Sequence, residues 1–167
     1  LAFVPKKHRR ESIRLLMDID QALGNYVRGQ FIVCVVVGVL AYIGYRLIGL
    51  PYPLLLAGIV ALFNIIPYLG PFLGAAPAIL TAATMSLKMV LLAAAVNIVV
   101  QALESNVISP QVVGRKMHMH PLVIIFVLLV GGKLAGVVGL ILAVPAFAVL
   151  KVVYQHLNDH YRNRRPA

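Results

Sequence analysis

Two long apolar segments of this chain are each interrupted by a short run of helix-breaking residues. The segment 54–87 contains FNIIPYLGP at 63–71, and the segment 122–150 contains GGKLAG at 131–136. About 20 apolar residues suffice to cross a bilayer as a helix, and 61% of the chain is hydrophobic while only 12% is charged. A soluble domain usually carries about 25% charged residues. The sequence therefore predicts an all-α integral membrane protein.

The rest of the chain divides into a polar start, unbroken spans and a basic tail. Polar residues recur every three or four positions from Glu11 to Arg28, which predicts an amphipathic helix at the membrane surface, against a neighbouring subunit or in the cytosol. Residues 31–48 and 89–108 are apolar enough for two spans. We therefore divide the chain into a cytoplasmic or interfacial helix (1–28), a transmembrane domain (29–153, with broken segments 54–87 and 121–150) and a basic cytoplasmic tail (154–167).

Charge placement favours re-entrant hairpins for the two broken segments. Lys and Arg cluster at both ends of the chain, and such residues stay on the cytoplasmic side. Hairpin arms of about 12 to 16 residues would reach roughly 18–24 Å, short of the roughly 30 Å bilayer core. With two hairpins, both ends and the loop residues Arg115 and Lys116 become cytoplasmic. The alternative is that each segment forms one kinked span, which would place Arg115 and Lys116 outside.

The two broken segments also resemble one another. A single shift of 68 residues aligns Pro53 with Pro121 and Pro77 with Pro145. A span and a hairpin, repeated with the opposite sense, form an inverted repeat of the kind found in secondary transporters. The match favours such a repeat, although Ala, Leu and Pro are common in apolar segments.

The first break has the composition of a hairpin tip. Pro67 and Pro71 lack a backbone donor, and Gly70 permits a tight turn. Asn64 and Tyr68 bring polar groups into an apolar region. Irregular backbone at membrane depth is tolerated only where protein or a water-filled cavity covers it. We therefore expect these five residues at a hairpin tip beside a transport pathway; a proline-kinked helix in a bundle is the alternative.

Glu104 is the one carboxylate of the predicted transmembrane domain, since the other acidic residues lie in the polar ends. Asn97, Gln101 and Glu104 follow at helical spacing and share one face. A lone carboxylate within the membrane indicates an ion or proton site. The three residues are therefore candidates for ion or proton coupling. The alternative is that Glu104 lies at the cytoplasmic boundary and pairs with Arg115 or Lys116.

The second break places Gly131, Gly132 and Lys133 together. Lys133 could attract an anionic group or pair with Glu104, and the alternative is a lysine that reaches the headgroups. We include all three in the candidate pathway.

Other classes of function find little support in the sequence. The motif MHMHP at 117–121 has no third ligand in view, so we predict no metal site, and we expect no cofactor. No hydrolase, zinc-protease or phosphate-binding motif is present, so we do not expect an enzyme. The basic clusters lack interleaved aromatic residues, which argues against nucleic-acid binding.

Three stretches resemble the autoinducer-two exporter family of bacterial membrane proteins: NIIPYLGPFLGAAPAIL (64–80), QALESNVISPQVVGRKMHMHPL (101–122) and GGKLAGVVGLILAVPAFAVLKVV (131–153). The lead-in DIDQALGNYVRGQ (18–30) is similar to that family as well. The second stretch carries the family pattern at Glu104, Asn106, Pro110 and Gly114. The resemblance covers nearly the whole chain and implies that it corresponds to the C-terminal half of a family member.

The resemblance also implies multi-spanning proteins of the bacterial inner membrane with cytoplasmic ends. It further implies a homo-oligomer, with a pentamer among the options. Some members export a quorum-sensing signal, and others resemble cation/proton antiporters.

Residues and resemblance together predict a secondary transporter in the lipid bilayer, which exports a small polar molecule or exchanges cations for protons. The alternatives are a non-transporting oligomeric scaffold and a passive channel.

Overall fold

The computed structural model of the chain describes the backbone of residues 9–67, 69–112 and 121–162. Every regular element in these ranges is helical, which confirms the predicted all-α membrane fold. By length and composition, three stretches could cross a membrane: Met17–Leu47, Leu87–Val112 and Leu122–Lys151, the last of which is interrupted at Ala135 and Gly136. In chain order the elements are α1 (Arg9–Leu47), α2 (Pro53–Phe63), α3 (Leu69–Ala83), α4 (Leu87–Leu103), a π-helical segment (Glu104–Ile108), α5 (Ser109–Val112) and α6 (Pro121–Arg162).

Contacts divide the chain into two compact units, which are described separately below. One unit is Arg28–Met119, and the other combines Leu1–Val27 with His120–Ala167. Helix α1 runs through both, so the predicted amphipathic segment and first span are one continuous helix of 39 residues. The polar stripe that the sequence predicted is exposed where side chains are described, at Asp18, Gln21, Asn25 and Arg28.

The first broken segment folds as a helical hairpin made of α2 and α3. Helix α2 begins at Pro53 and ends at Phe63, four residues before Pro67. A proline in a helix clashes with the carbonyl four residues earlier, so Pro67 sets this end. The arms contain 11 and 15 residues, or about 16 and 22 Å of helix. A Cβ atom on Gly74 would lie 2.8 Å from the Cα atom of Val60, so the two arms are in close contact.

The second broken segment, within α6, also doubles back. Ala135 (φ −140°, ψ 21°) and Gly136 (φ 58°, ψ −135°) leave the helical conformation. A Cβ atom on Gly131 would lie 2.5 Å from the carbonyl oxygen of Gly139 and 2.9 Å from the Cβ atom of Ala143. Residues eight and twelve positions apart in a straight helix would be about 12 and 18 Å apart. The two arms of α6 therefore pack against each other.

The remaining span of the Arg28–Met119 unit is α4 with its π-helical extension. Ser86 caps α4, because its side chain accepts a hydrogen bond from the Met89 amide at 3.2 Å. The π segment follows from Pro110, which lacks an amide proton and would clash with the Asn106 carbonyl in a regular helix. The apolar core of this unit joins α1, α2, α3 and α4 through Val33, Val37, Ala41, Tyr45, Leu56, Ala57, Val60, Ala78, Ala82, Ala93 and Val100.

Candidate functional site

The tip of the first hairpin contacts the C-terminal end of α4. Asn64 follows the last residue of α2 and is the buried polar residue of the described core, with 2% of its surface exposed. Its Nδ2 atom donates a hydrogen bond to Oε1 of Glu104 at 3.1 Å. The two residues are 40 positions apart in the chain. The structure thus brings Asn64, from the predicted hairpin tip, into contact with Glu104, the carboxylate predicted to lie within the membrane.

The second carboxylate oxygen of Glu104 is also buried. Oε2 has no hydrogen-bond partner among the described residues. A buried polar atom left without a partner costs about 1–3 kcal/mol, and more when it is charged. Such an atom is therefore suited to take up a proton, a cation or a donor group of a substrate. Arg115 and Lys116, the alternative partners considered from the sequence, lie outside the described residues.

Helix α1 contributes a third member of this cluster. Nε2 of Gln30 donates a hydrogen bond to the backbone oxygen of Asn64 at 2.7 Å. The same nitrogen lies 4.0 Å from Sγ of Cys34, one turn further along α1. Gln30 is half-buried, and Cys34 is half-buried beside it. We call Gln30, Asn64 and Glu104 the tip cluster, since it holds the hairpin tip between α1 and α4.

Asn97 takes part in a different contact. The hydroxyl of Tyr45 donates to Oδ1 of Asn97 at 2.8 Å, and Tyr45 is fully buried. Nδ2 of Asn97 donates to the Ala93 carbonyl at 2.8 Å. Asn97 is thus satisfied by α1 and by its own helix. The structure brings Asn64, rather than Asn97, to Glu104.

The π segment begins at Glu104 itself. Its widened turns change the backbone pairing, and the amide of Ser109 donates to the Glu104 carbonyl five residues earlier. The side chains of Ser105 and Asn106 bond to carbonyls of the preceding turn, Gln101 at 2.9 Å and Ala102 at 2.8 Å. Single π turns of this kind occur often at functional sites.

The other predicted residues of this unit lie around the cluster, and one of them, Gln101, is a hydrogen-bonding neighbour of the Glu104 carboxyl. Pro67 and Pro71 are half-buried beside the tip, and Pro71 lies in the first turn of α3. Gly70 is buried against the Phe63 carbonyl, so no side chain fits there. Gln101 and Pro110 are half-buried, and Asn106 is exposed. Tyr68 and Gly114 lie outside the described residues.

The predicted residues of the second break belong to the other unit. Gly131 and Gly132 lie where the arms of α6 meet, and Gly132 faces Leu140. Lys133 is exposed near the end of the first arm, two residues before the backbone leaves the helix. The glycines therefore have a packing role in the structure, and Lys133 is accessible to a ligand or to lipid headgroups.

Sequence reasoning missed Gln30 and Tyr45. Gln30 is followed at once by an apolar run, which marks it as the edge of a span. Tyr45 lies near the end of that span, where aromatic residues commonly face the membrane interface. The residues around Gln30 and Tyr45 in the sequence do not indicate which distant residue each one contacts. No group of three potential metal ligands occurs among the described side chains.

Comparison with known proteins assigns the chain to a family. The sequence model described as "AI-2E family transporter" matches residues 1–159. The "Putative transport protein YrrI" of Bacillus subtilis is 51% identical over 152 residues, which cover 91% of this chain and 43% of that protein. The "Putative transport protein YueF" of the same organism is 42% identical over 154 residues, 92% of this chain and 42% of that protein.

A more distant relative is the "Putative permease PerM" of Escherichia coli, 33% identical over 142 residues, 81% of this chain and 39% of that protein. The chain spans less than half the length of these curated relatives. No solved structure matches. The family match extends over nearly the whole chain, including the hairpin tip and Glu104, and the chain belongs to the AI-2E transporter family.

Proposed function

We propose that this chain forms part of a secondary membrane transporter in which Glu104 takes up and releases a proton during the transport cycle. The observation that carries the proposal is the buried Oε2 atom of Glu104, which lacks a partner among the described residues. The carboxylate lies beside the tip of a broken helix pair, where half-helix ends and unwound backbone form the ion and substrate sites of other transporters.

The geometry suggests how a proton would bias the conformation. When Glu104 is charged, the Asn64 amide donates to it and holds the hairpin tip against α4. A proton on Oε2 removes the net charge and weakens that charge-assisted hydrogen bond. The tip is then held less firmly, so protonation favours states in which it moves away from α4. A ligand or proton shifts such an equilibrium only by its differential affinity for the two states.

We further propose that both hairpins are re-entrant, with both ends of the chain on the cytoplasmic side of the bacterial inner membrane. The arm lengths of α2 and α3 support this arrangement, because neither arm reaches across a bilayer core of roughly 30 Å. In this scheme residues 1–28 lie at the membrane surface, 29–153 in the membrane and 154–167 in the cytosol. The whole protein would be a homo-oligomer that exports a small polar molecule such as autoinducer-two, or exchanges cations for protons.

The proposal is tested by replacing Glu104 with glutamine in the full-length protein. The purified protein is reconstituted in liposomes that contain a pH-sensitive dye, and gradients of sodium, lithium or potassium chloride are applied. Release of autoinducer-two from cells that make it serves as the parallel export assay. Glu104→Gln is expected to abolish the flux that depends on a pH gradient while the protein still inserts. Asp18→Asn is the matched control, because it makes the same chemical change at an exposed carboxylate.

The same assays distinguish the alternatives. A scaffold would show no flux in the unmodified protein, and a passive channel would show flux that ignores the proton gradient. Coupled flux that persists in Glu104→Gln would refute the role of this carboxylate.

A further inference from the structure

We propose that Gln30 is a positioning residue for Glu104: it fixes the tip of the first hairpin by binding the backbone carbonyl of Asn64, directly after the end of α2. Its role in transport rests on the function proposed above. The hydrogen bond itself, and its effect on Glu104, stand independently of that function.

The backbone carbonyl of Asn64 lies at the helix break. The residue three positions later is Pro67, which has no amide proton to donate to this carbonyl. The chain leaves the helix after Phe63. Neighbouring carbonyls are satisfied within the tip, since Phe63 accepts from Ile66 at 3.0 Å and Ile66 accepts from Gly70 at 2.8 Å. The Asn64 oxygen accepts from the Gln30 side chain at 2.7 Å, 34 residues away in the chain.

Asn64 makes both contacts that connect α1 to Glu104. The backbone oxygen of Asn64 binds Gln30, and the side-chain nitrogen of Asn64 binds Glu104. Both groups belong to a single buried residue, so a displacement of its backbone would also displace its side-chain amide. Gln30 thereby connects α1 to the carboxylate on α4 without touching that carboxylate.

Few polar or charged groups besides the tip cluster lie near Glu104; one is Gln101, three residues earlier in α4. From α1, the titratable group nearest to the cluster is Cys34, whose sulfur contacts Gln30 at 4.0 Å. Between Pro53 and Ala83, the described residues include no charged or ionisable side chain. On α4, the charged residue is Lys88, which is exposed in the first turn, at the opposite end of the helix from Glu104. The hydrogen bond from Asn64 is therefore the main polar contact through which the hairpin acts on the carboxyl.

The test reads the Glu104 carboxyl directly by infrared difference spectroscopy on the full-length protein in lipid, between acidic and alkaline pH. The band of the protonated carboxyl is assigned by its disappearance in Glu104→Gln. Loss of the donor from Asn64 shifts a carboxyl carbonyl band to higher frequency, so Asn64→Ala gives the reference shift. Gln30→Met keeps the length of the side chain and removes its donor. We expect it to shift the same band in the same direction.

A double-variant comparison separates positioning from general destabilisation. If Gln30 acts through Asn64, the double variant Gln30→Met with Asn64→Ala will show the shift of Asn64→Ala and no more. Cys34→Ala is the matched control: it lies one turn along α1, removes the other contact of Gln30, and should leave the band in place.

The inference is overturned if the Glu104 carboxyl band keeps its original frequency in Gln30→Met. It is also overturned if the shift in the double variant equals the sum of the shifts in the two single variants. This readout does not depend on transport. If Glu104→Gln retains coupled flux, the proposed function fails while the positioning role is still decided by the band. If the band is unmoved in Gln30→Met and flux is lost in Glu104→Gln, only the positioning role fails.

Discussion

Alanine at Gly74 tests how closely the two arms of the first hairpin must approach. A Cβ atom there would lie 2.8 Å from the Cα atom of Val60, which is about 0.6 Å closer than the 3.4 Å at which such contacts become ordinary. The same Cβ atom would lie 3.6 Å from the Cβ atom of Phe63, an ordinary contact. The clash is therefore with backbone, and it can be relieved only if α2 and α3 move apart.

The expected cost follows from that displacement. Overpacking a well-packed interface by about one carbon atom costs roughly 1–3 kcal/mol. Replacing glycine by alanine within a helix also brings a gain of about 1 kcal/mol in helix propensity. Gly58 provides the matched control, because it lies in α2 and a Cβ atom there would meet nothing within 4 Å. Both variants gain the same helix propensity, so the difference between them reports only the cost of the clash at Gly74. Gly74→Ala should therefore be about 1–3 kcal/mol less stable than Gly58→Ala.

The measurement is a titration of both full-length variants with denaturing detergent in mixed micelles, followed by circular dichroism. Gly58→Ala should equal or slightly exceed the unmodified protein in its free energy of unfolding, while Gly74→Ala should fall below it. Equal stability of the two variants would refute the close approach of the arms, and with it the description of the segment as a packed hairpin.

Two further substitutions probe the polar contacts around the tip cluster. Tyr45→Phe removes the hydroxyl that donates to Asn97, so we expect the free energy of unfolding to fall by about 0.6–1.7 kcal/mol. Coupled flux should be retained, because this contact lies outside the tip cluster. A variant of unchanged stability that has lost coupled flux would contradict the prediction. Pro110→Ala restores an amide that can donate to the Asn106 carbonyl, so the π segment should become α-helical. Amide exchange at residues 106–109 should slow, and coupled flux should fall because Glu104 or the residues after it must rotate by about 100°. Unchanged exchange would show that Pro110 does not cause the π turn.

The helix breaks could be predicted from the sequence because their cause is local. Pro67 acts on the carbonyl four residues before it, and α2 ends at that residue, Phe63. Gly136 adopts a positive φ of 58°, a conformation that glycine adopts without steric cost. Both effects need only the residue and its near neighbours, so composition and position were enough to place them.

The contacts that build the tip cluster could not be predicted in the same way. Gln30 and Asn64 are 34 positions apart, and Tyr45 and Asn97 are 52 positions apart. A periodic pattern identifies which face of a helix is polar, but it does not say which other helix that face meets. Asn97 shows the consequence, since it shares a face with Glu104 in the sequence pattern and binds Tyr45 in the structure.

The two hairpins resemble one another in a backbone contact as well as in composition. With the shift of 68 residues, Phe63 aligns with Gly131, and in each hairpin the carbonyl oxygen at that position is closely approached by a glycine of the second arm. The approaching residue is Gly70 in the first hairpin and Gly139 in the second, one position later than the shift predicts. Alanine, leucine and proline recur in many apolar segments, so composition alone says little about a repeat. In both hairpins the start of the second arm lies so close to the end of the first that a side chain would not fit at the approaching residue, and glycine occupies that residue in each. The two segments are therefore alike in this close contact as well as in their composition.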